Sequence, residues 1–319
     1  MTDTQEAPVR LGSRGSPLAL AQAEETRRRL VEARPELAGA VEIVVIRTTG
    51  DRVQDRPLAE IGGKGLFTKE IEEALLDGRI DVAVHSMKDV PTWQPAGLAI
   101  AAILPREDPR DAFFSPHGTG LAALPAGARV GTASLRRQAQ VLLARPDLVV
   151  APIRGNVQTR LGKLAAGEYD ATLLAVAGLH RLGRAELLQG VLPTSEMLPA
   201  VAQGAIGLQV RVEDERTHGL VTQLDDRPSA LRVAAERACL EVLDGSCRTP
   251  IAALAELSAD GERLSLSALV ARPDGSEAWR ARREGPAGEA AALGRDAGEE
   301  LRRAVGPDFF AALGLPGPG

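Results

Sequence analysis

The heptapeptide His85-Ser86-Met87-Lys88-Asp89-Val90-Pro91 sets a carboxylate beside an ammonium group. One cation and one carboxylate are thus adjacent, a pair able to do chemistry if the fold puts it at a ligand site. Lys88 can hold an anion. Most Lys-Asp dipeptides are solvated ion pairs with little energetic weight, so position has to decide between the two readings. The apolar run 80–84 alternates too little for a surface strand and reads as a buried parallel one. Pro91 cannot extend it and forces Val90 into an extended conformation, so the strand is expected to stop near Ser86. Beyond the carboxyl ends of such strands is where open α/β sheets bind ligands.

Other cations repeat this placement. A short strand at 9–12 opens into Ser13-Arg14-Gly15-Ser16-Pro17. There Ser16 suits a helix N-cap and Pro17 the first helical position of a helix running to about Ala33. Arg14 and Ser16 thus sit at a strand-to-helix turn, where free amides favour an anion. Further on, a strand ends at 130–132 and Ser134-Leu135-Arg136-Arg137-Gln138 begins a helix. Two arginines in a first turn oppose the helix dipole, which is sensible if an anion lies between them and the amides. A strand at 148–153 leads to Arg154-Gly155-Asn156, with Arg160 one turn into the next helix, and a strand at 172–176 leads to Arg181. With Lys64 and Lys88, these cations all fall near strand carboxyl ends or helix amino ends. Arginine suits bidentate capture of carboxylates or phosphates. In a chain of net charge −5, the cluster points to a polyanionic small molecule in a cleft.

Several classes are set aside. Aromatics make up 3% of the chain, too few for base-stacking platforms, and the net negative charge argues against general nucleic-acid binding. No apolar run is long enough for a membrane span, and the first residues lack a signal-peptide pattern. Gly62-Gly63-Lys64-Gly65 departs from a P-loop because Leu66 replaces the metal-binding hydroxyl. It reads as a mobile, lysine-tipped cover for a site. The two cysteines, Cys239 and Cys247, make neither a disulfide framework nor a zinc quartet. A cytoplasmic protein with reduced thiols is expected. Cys239 reads as a packed core thiol. Cys247, in Gly245-Ser246-Cys247-Arg248, reads as an accessible thiol whose thiolate Arg248 can support, although an unreactive exposed cysteine fits the local sequence equally.

The elements that must position these groups follow from length and order. At 319 residues two or three domains are expected. A helix at 67–76 should turn Ile71, Leu75 and Leu76 toward a sheet and Glu70, Glu72 and Glu73 outward. Arg106-Glu107-Asp108-Pro109-Arg110-Asp111 is a charged break and a first domain crossing, and 197–210 returns the chain. Two α/β lobes joined by two crossings then make a hinged cleft. Ser229 should cap a helix ending near Gly245. Strands at 251–257, 264–271 and 277–283 and a helix at 288–305 form a small α+β domain.

Eight motifs occur in order: Gly-Ser-Arg-Gly-Ser-Pro-Leu-Ala-Leu (12–20), Gly-Gly-Lys-Gly-Leu-Phe (62–67), Val-His-Ser-Met-Lys-Asp-Val-Pro (84–91), Arg-Glu-Asp-Pro-Arg-Asp-Ala-Phe (106–113), Gly-Thr-Ala-Ser-Leu-Arg-Arg (131–137), Arg-Gly-Asn-Val-Gln-Thr-Arg-Leu (154–161), Leu-Ala-Val-Ala-Gly-Leu (174–179) and Leu-Pro-Ala-Val-Ala-Gln-Gly-Ala (198–205). With them the chain resembles the porphobilinogen deaminase (hydroxymethylbilane synthase) family from about residue 9 to 247. The resemblance implies an α/β fold: two lobes resembling type II periplasmic binding proteins plus a small C-terminal α+β domain. Domain 1 would comprise 1–104 and 203–222, domain 2 105–202, and domain 3 223–319. It implies a transferase that condenses four porphobilinogens head to tail with release of ammonia to give hydroxymethylbilane. The primer would be a dipyrromethane cofactor in thioether linkage to Cys247. Asp89 and Lys88 would be catalytic. Cys247, Lys88, Ser86, Ser16, Arg136, Arg137, Ser134 and Gly155 would hold the cofactor. Arg14, Arg154, Arg160, Arg181, Lys64 and Phe67 would bind substrate, and no metal is implied. Two departures stand out: Glu60 occupies a position where some relatives carry lysine, and Gly-Ser-Cys replaces Gly-Gly-Cys. A monomer without nucleic-acid or membrane partners is expected. The alternative is a two-lobed organic-anion binding protein without catalysis, which leaves Cys247 and the third domain unexplained.

Overall fold

Ser16, in an extended conformation, accepts the Ala19 amide on its side chain at 3.3 Å, and Pro17 follows as the first helical residue. That cap separates β1 (Val9–Arg14) from α1 (Pro17–Ala33), which buries Gln22, Thr26 and Leu30 at a spacing of four. The structure, a computed structural model, describes residues 8–52, 65–243 and 249–312. It divides into two units. The first runs to Arg106 and resumes at Ala205–Ala230; the second comprises Glu107–Gly204 and the chain from Leu231 onward.

In the first unit, β1 and α1 are followed by β2 (Val41–Ile46), the short α2 (Thr49–Arg52), α3 (Lys69–Leu76), β3 (Val82–Ser86) and β4 (Leu98–Ile103). After the return come β10 (Ile206–Arg211) and α7 (Glu215–Val221). The sheet order is β2-β1-β3-β10-β4. β3 is parallel to β1, as expected, but antiparallel to β10, so the sheet is mixed. Leu11, Leu30, Val82, Val84, Leu104 and Leu208 form its core.

The second unit holds β5 (Asp111–Phe114), β6 (Arg129–Gly131), α4 (Leu135–Ala144), β7 (Val149–Ala151), α5 (Val157–Ala165), β8 (Ala171–Ala175), α6 (Val176–Arg181) and β9 (Gly190–Val191). Its sheet, β7-β6-β8-β5-β9, repeats the first in order and in sense: three parallel strands, then a strand from the domain crossing inserted antiparallel, then an edge strand. A third sheet, β11 (Ile251–Leu257), β12 (Arg263–Ala271) and β13 (Ala278–Pro286), is antiparallel throughout. It carries α9 (Ala290–Val305) and α10 (Pro307–Ala312). Gly294 and Gly298 of α9 abut α8 (Arg227–Val242): a Cβ at Gly294 would stand 2.1 Å from the Ala235 carbonyl oxygen. Burial, with the charge of Glu236, pushes the Cys239 thiol there up to about 12, so it is an inert core thiol. The fold class is therefore the expected one, α/β lobes with a small C-terminal α+β unit.

Three local expectations are corrected. Glu72 of α3 is buried and Leu76 is 48% exposed, because the sheet-facing stripe is 71-72-74-75 rather than 71-75-76. α8 begins at Arg227, and the Asp226 carboxylate accepts the Ser229 amide at 2.9 Å; the Ser229 hydroxyl instead accepts the Arg106 amide at 2.8 Å. The charged stretch ending at Asp111 is not all loop, since Asp111–Phe114 is a fully buried strand.

Candidate active site

The first group of site residues stands at the end of β3. Beyond Ser86 the chain makes one 3₁₀ turn, Met87–Asp89. Met87 anchors it. Its amide donates to the Ala205 carbonyl at 3.0 Å, and its side chain is buried against Gly207, where any Cβ would meet the sulfur at 2.0 Å. With Met87 turned inward, Lys88 and Asp89 are half-buried at the rim. Asp89 lines a pocket of about 310 Å³, solvent-open part included, together with Arg14, Gln22, Phe67, His85 and Ser86. Arg14, the last residue of β1, lays its guanidinium over the Phe67 ring, 4.0 Å from its centroid. Gln22 of α1 donates to the Ser86 hydroxyl at 3.5 Å. Among the described residues no group lies within hydrogen-bond distance of the Asp89 carboxylate. Sequence reasoning missed Gln22, which carried no signal beyond its place on the buried face of a capped helix.

The second group surrounds α4. Ser134 caps this helix, accepting the Arg137 amide. The side chains of Arg136 and Arg137 are only 4% and 8% exposed, and both reach Asp111, at 2.8 and 2.7 Å. Arg136 also donates to the Leu198 carbonyl at 2.8 Å and Arg137 to the Leu173 carbonyl at 2.9 Å; Gln203 donates to Asp111 at 2.9 Å. Burial alone would raise the Asp111 carboxyl, but the two guanidinium charges and these hydrogen bonds outweigh it and hold the carboxyl well below the usual range. Burial lowers the Arg136 pKa, and Asp111 partly offsets that. The anion expected beside the two arginines is thus in part an internal carboxylate. The sequence hid Asp111 because it closes a charged break that reads as solvent-exposed.

Two arginine edges are left over. The Nε atoms of Arg136 and Arg137 are buried without a hydrogen-bond partner. A buried N–H of a cation without an acceptor is costly, and the carboxylates of a bound polyanion are of the right chemistry to satisfy both. Nearby, Asn156 caps α5, and Arg160 donates through Nε to the Gly155 carbonyl at 2.9 Å. Gly155 has φ +114°, and a Cβ there would meet Thr159 at 2.6 Å. Burial first, then the charges of Arg137 and Arg154, bring Arg160 down to about 10. It is still a cation at neutral pH, so three like charges feel one another and an anion would relieve them. Arg181, at the end of α6, donates to the Gly204 carbonyl at 2.9 Å. Cys247 and Lys64 lie outside the described residues.

The family model described as "Porphobilinogen deaminase, dipyromethane cofactor binding domain" matches residues 9–219, and the one described as "Porphobilinogen deaminase, C-terminal domain" matches 230–303. The chain belongs to the porphobilinogen deaminase family. It is 59% identical over 310 residues to the porphobilinogen deaminase of Paracoccus denitrificans, covering 97% of this chain and 98% of that one. It is 56% identical over 309 residues to the chloroplastic porphobilinogen deaminase of Oryza sativa subsp. japonica, covering 96% and 86%. Among solved structures it is similar to the periplasmic aliphatic sulphonate binding protein SsuA of Escherichia coli, at TM-score 0.39 and 17% identity over 73% of this chain and 70% of that one. Another is the ligand-binding component of an ABC-type import system from Staphylococcus aureus, at TM-score 0.39 and 11% identity over 75% and 76%. The porphobilinogen deaminase assignment makes the chain a transferase with a dipyrromethane cofactor and sets aside the non-catalytic binding-protein alternative. The arginine-lined second unit, with its two partnerless Nε atoms, fits that cofactor's carboxylates.

Proposed function

We propose that in this porphobilinogen deaminase Asp89 is the carboxylate that carries proton transfer. The supporting observation is its place at the rim of the first-unit pocket, beside Arg14 and with no hydrogen-bond partner among the described residues. Porphobilinogen must lose its amine as ammonia, which requires a protonated leaving group and leaves an electron-poor methylene-pyrrole cation. Asp89 can pass the proton and then lie beside that cation, with Lys88 at its side. Arg14, stacked on Phe67, would take a substrate carboxylate, as would Arg154, Arg160, Arg181 and Lys64. The dipyrromethane supplies a covalently held primer pyrrole. Cys247 would hold it by a thioether, and Ser16, Ser86, Lys88, Ser134, Arg136, Arg137 and Gly155 would bind its acetate and propionate groups. A three-domain division at 1–104 with 203–222, 105–202 and 223–319, a cytoplasmic location and a monomeric state complete the reading. Among the described residues no helix is long and apolar enough to cross a membrane.

The test joins kinetics to mass. Asp89→Asn should lower kcat by about 10²- to 10⁴-fold, while the denatured protein keeps a mass excess equal to one dipyrromethane. That excess should be absent from Cys247→Ser. Turnover near wild type in Asp89→Asn would remove Asp89 from the chemistry, and an unchanged adduct in Cys247→Ser would remove the attachment site.

A further inference from the structure

Behind the Asp89 turn lies a buried polar chain whose hydrogen positions can be worked out from one end. Backbone carbonyls only accept. Gln94 Nε2 donates to the Pro91 and Trp93 carbonyls, at 3.2 and 3.1 Å, which fixes Gln94 Oε1 as the oxygen facing Gln209. Gln209 Nε2 donates to that oxygen at 2.7 Å and lies 3.4 Å from Glu72 Oε1. Gln209 Oε1 is therefore the atom that meets His85 Nε2, at 2.9 Å. An amide oxygen can only accept, so His85 Nε2 carries the hydrogen.

Gln209 is fully buried on β10, and the register of β10 against β4 shifts between Leu208 and Gln209. Bulges of this kind re-aim side chains and are frequent beside active sites. From that point one side chain reaches three elements: β3 through His85, the loop after Asp89 through Gln94, and α3 through Glu72. His85 is itself a wall of the pocket that Asp89 lines.

We infer that Gln209 is a positioning residue for the reaction: it fixes His85 as the Nε2–H form and ties down the chain on both sides of the Met87–Asp89 turn. The inference rests on Asp89 as the reacting carboxylate. Gln209 touches no reacting atom and acts through His85 and Gln94. A loosened turn would move the Asp89 carboxylate, and misplacements near 1 Å can cost on the order of 10²-fold in rate.

The test uses the purified holoenzyme with ¹⁵N-labelled histidine, which contains four imidazoles, His85 being assigned by its loss in His85→Asn. The wild-type ring should show a protonated, pyrrole-type Nε2 and an unprotonated, pyridine-type Nδ1 at alkaline pH. Gln209→Met, of similar length but without hydrogen bonds, should lose that fixed pattern and lower kcat roughly 10- to 100-fold with KM little changed. Gln209→Glu keeps the acceptor toward His85 and should restore the Nε2–H pattern. An Nδ1–H ring in the wild type overturns the inference, even if Gln209→Met fails to fold. So does Gln209→Met with the wild-type ring pattern, whatever its turnover. Asp89→Asn at full turnover would instead overturn the reading of the site, and the His85 ring pattern would not change.

Discussion

Asp111 shows how one carboxylate can organise two cations. Its oxygens receive Arg136, Arg137 and Gln203, and its side chain is fully buried. Breaking such a set by removing one partner leaves uncompensated buried charge, typically worth about 3–5 kcal/mol. Asp111→Asn should therefore lower the free energy of unfolding in urea at neutral pH by about that amount. It should also reduce the fraction of molecules carrying the dipyrromethane mass, because the two guanidiniums lose their shared aim. The pH dependence has a definite sign. The Asp111 carboxyl is depressed in the folded protein, so its stabilisation is complete above the unfolded value, near 3.9, and is lost as pH falls through the lower folded value. Asp81, held down by Arg10 and Arg211 against the opposing effect of burial, acts in the same direction. The urea midpoint of the wild type should thus fall more steeply below about pH 4 than that of Asp111→Asn. Equal slopes would show that Asp111 does not titrate with unfolding.

At the scale of elements, α4 is held from both ends. Its amino end carries the arginine pair; its later turns meet the β12–β13 hairpin, where Gly275 has φ +73° and a Cβ would lie 2.5 Å from the Leu142 and Leu143 backbone. Gln138 adds a hydrogen bond to the Pro273 carbonyl at 3.1 Å. Gly275→Ala must adopt a left-handed conformation and push against backbone, so a loss of about 1–3 kcal/mol is expected, read as a lower urea midpoint at unchanged slope. Caps and periodicity made much of this level legible: Ser16 with Pro17, Ser134, and the strands at 251–257 and 263–271 lie where their residue patterns put them. Strand order also put Arg14 and Asp89 each at or just past the carboxyl end of a strand, and both line the first-unit pocket. The rest depends on contacts far apart in sequence. Asp111 finds Arg136 twenty-five residues on, and Gln209 finds His85 one hundred and twenty-four residues back; local pattern carries no trace of either. Glu72 escaped because a glutamate on a helix is ordinarily outside.

For the molecule as a whole, the net charge of −5 and the arginine-rich strand ends have opposite effects on an anionic substrate. At short range the arginines prevail, and salt weakens attraction at partly exposed positions such as Arg14 and Arg160 more than at the buried pair. Raising salt from about 0.1 to about 1 M shortens the Debye length from ~10 to ~3 Å. KM for porphobilinogen should then rise several-fold with kcat nearly constant. A flat or falling KM would mean that long-range repulsion governs capture.

The repeated strand order of the two lobes also bears on how the chain is born. The second lobe's sheet is assembled from one continuous stretch and is complete once Val191 has been made. The first lobe's sheet lacks its inserted strand until Ile206–Arg211 arrives, about a hundred residues after β4. At ribosomal rates of about 5–20 residues per second, that leaves β3 and β4 without the strand between them for on the order of 5–20 s. The half of the enzyme translated first is thus the half that closes second, and a nascent-chain chaperone would find its exposed strand edges there.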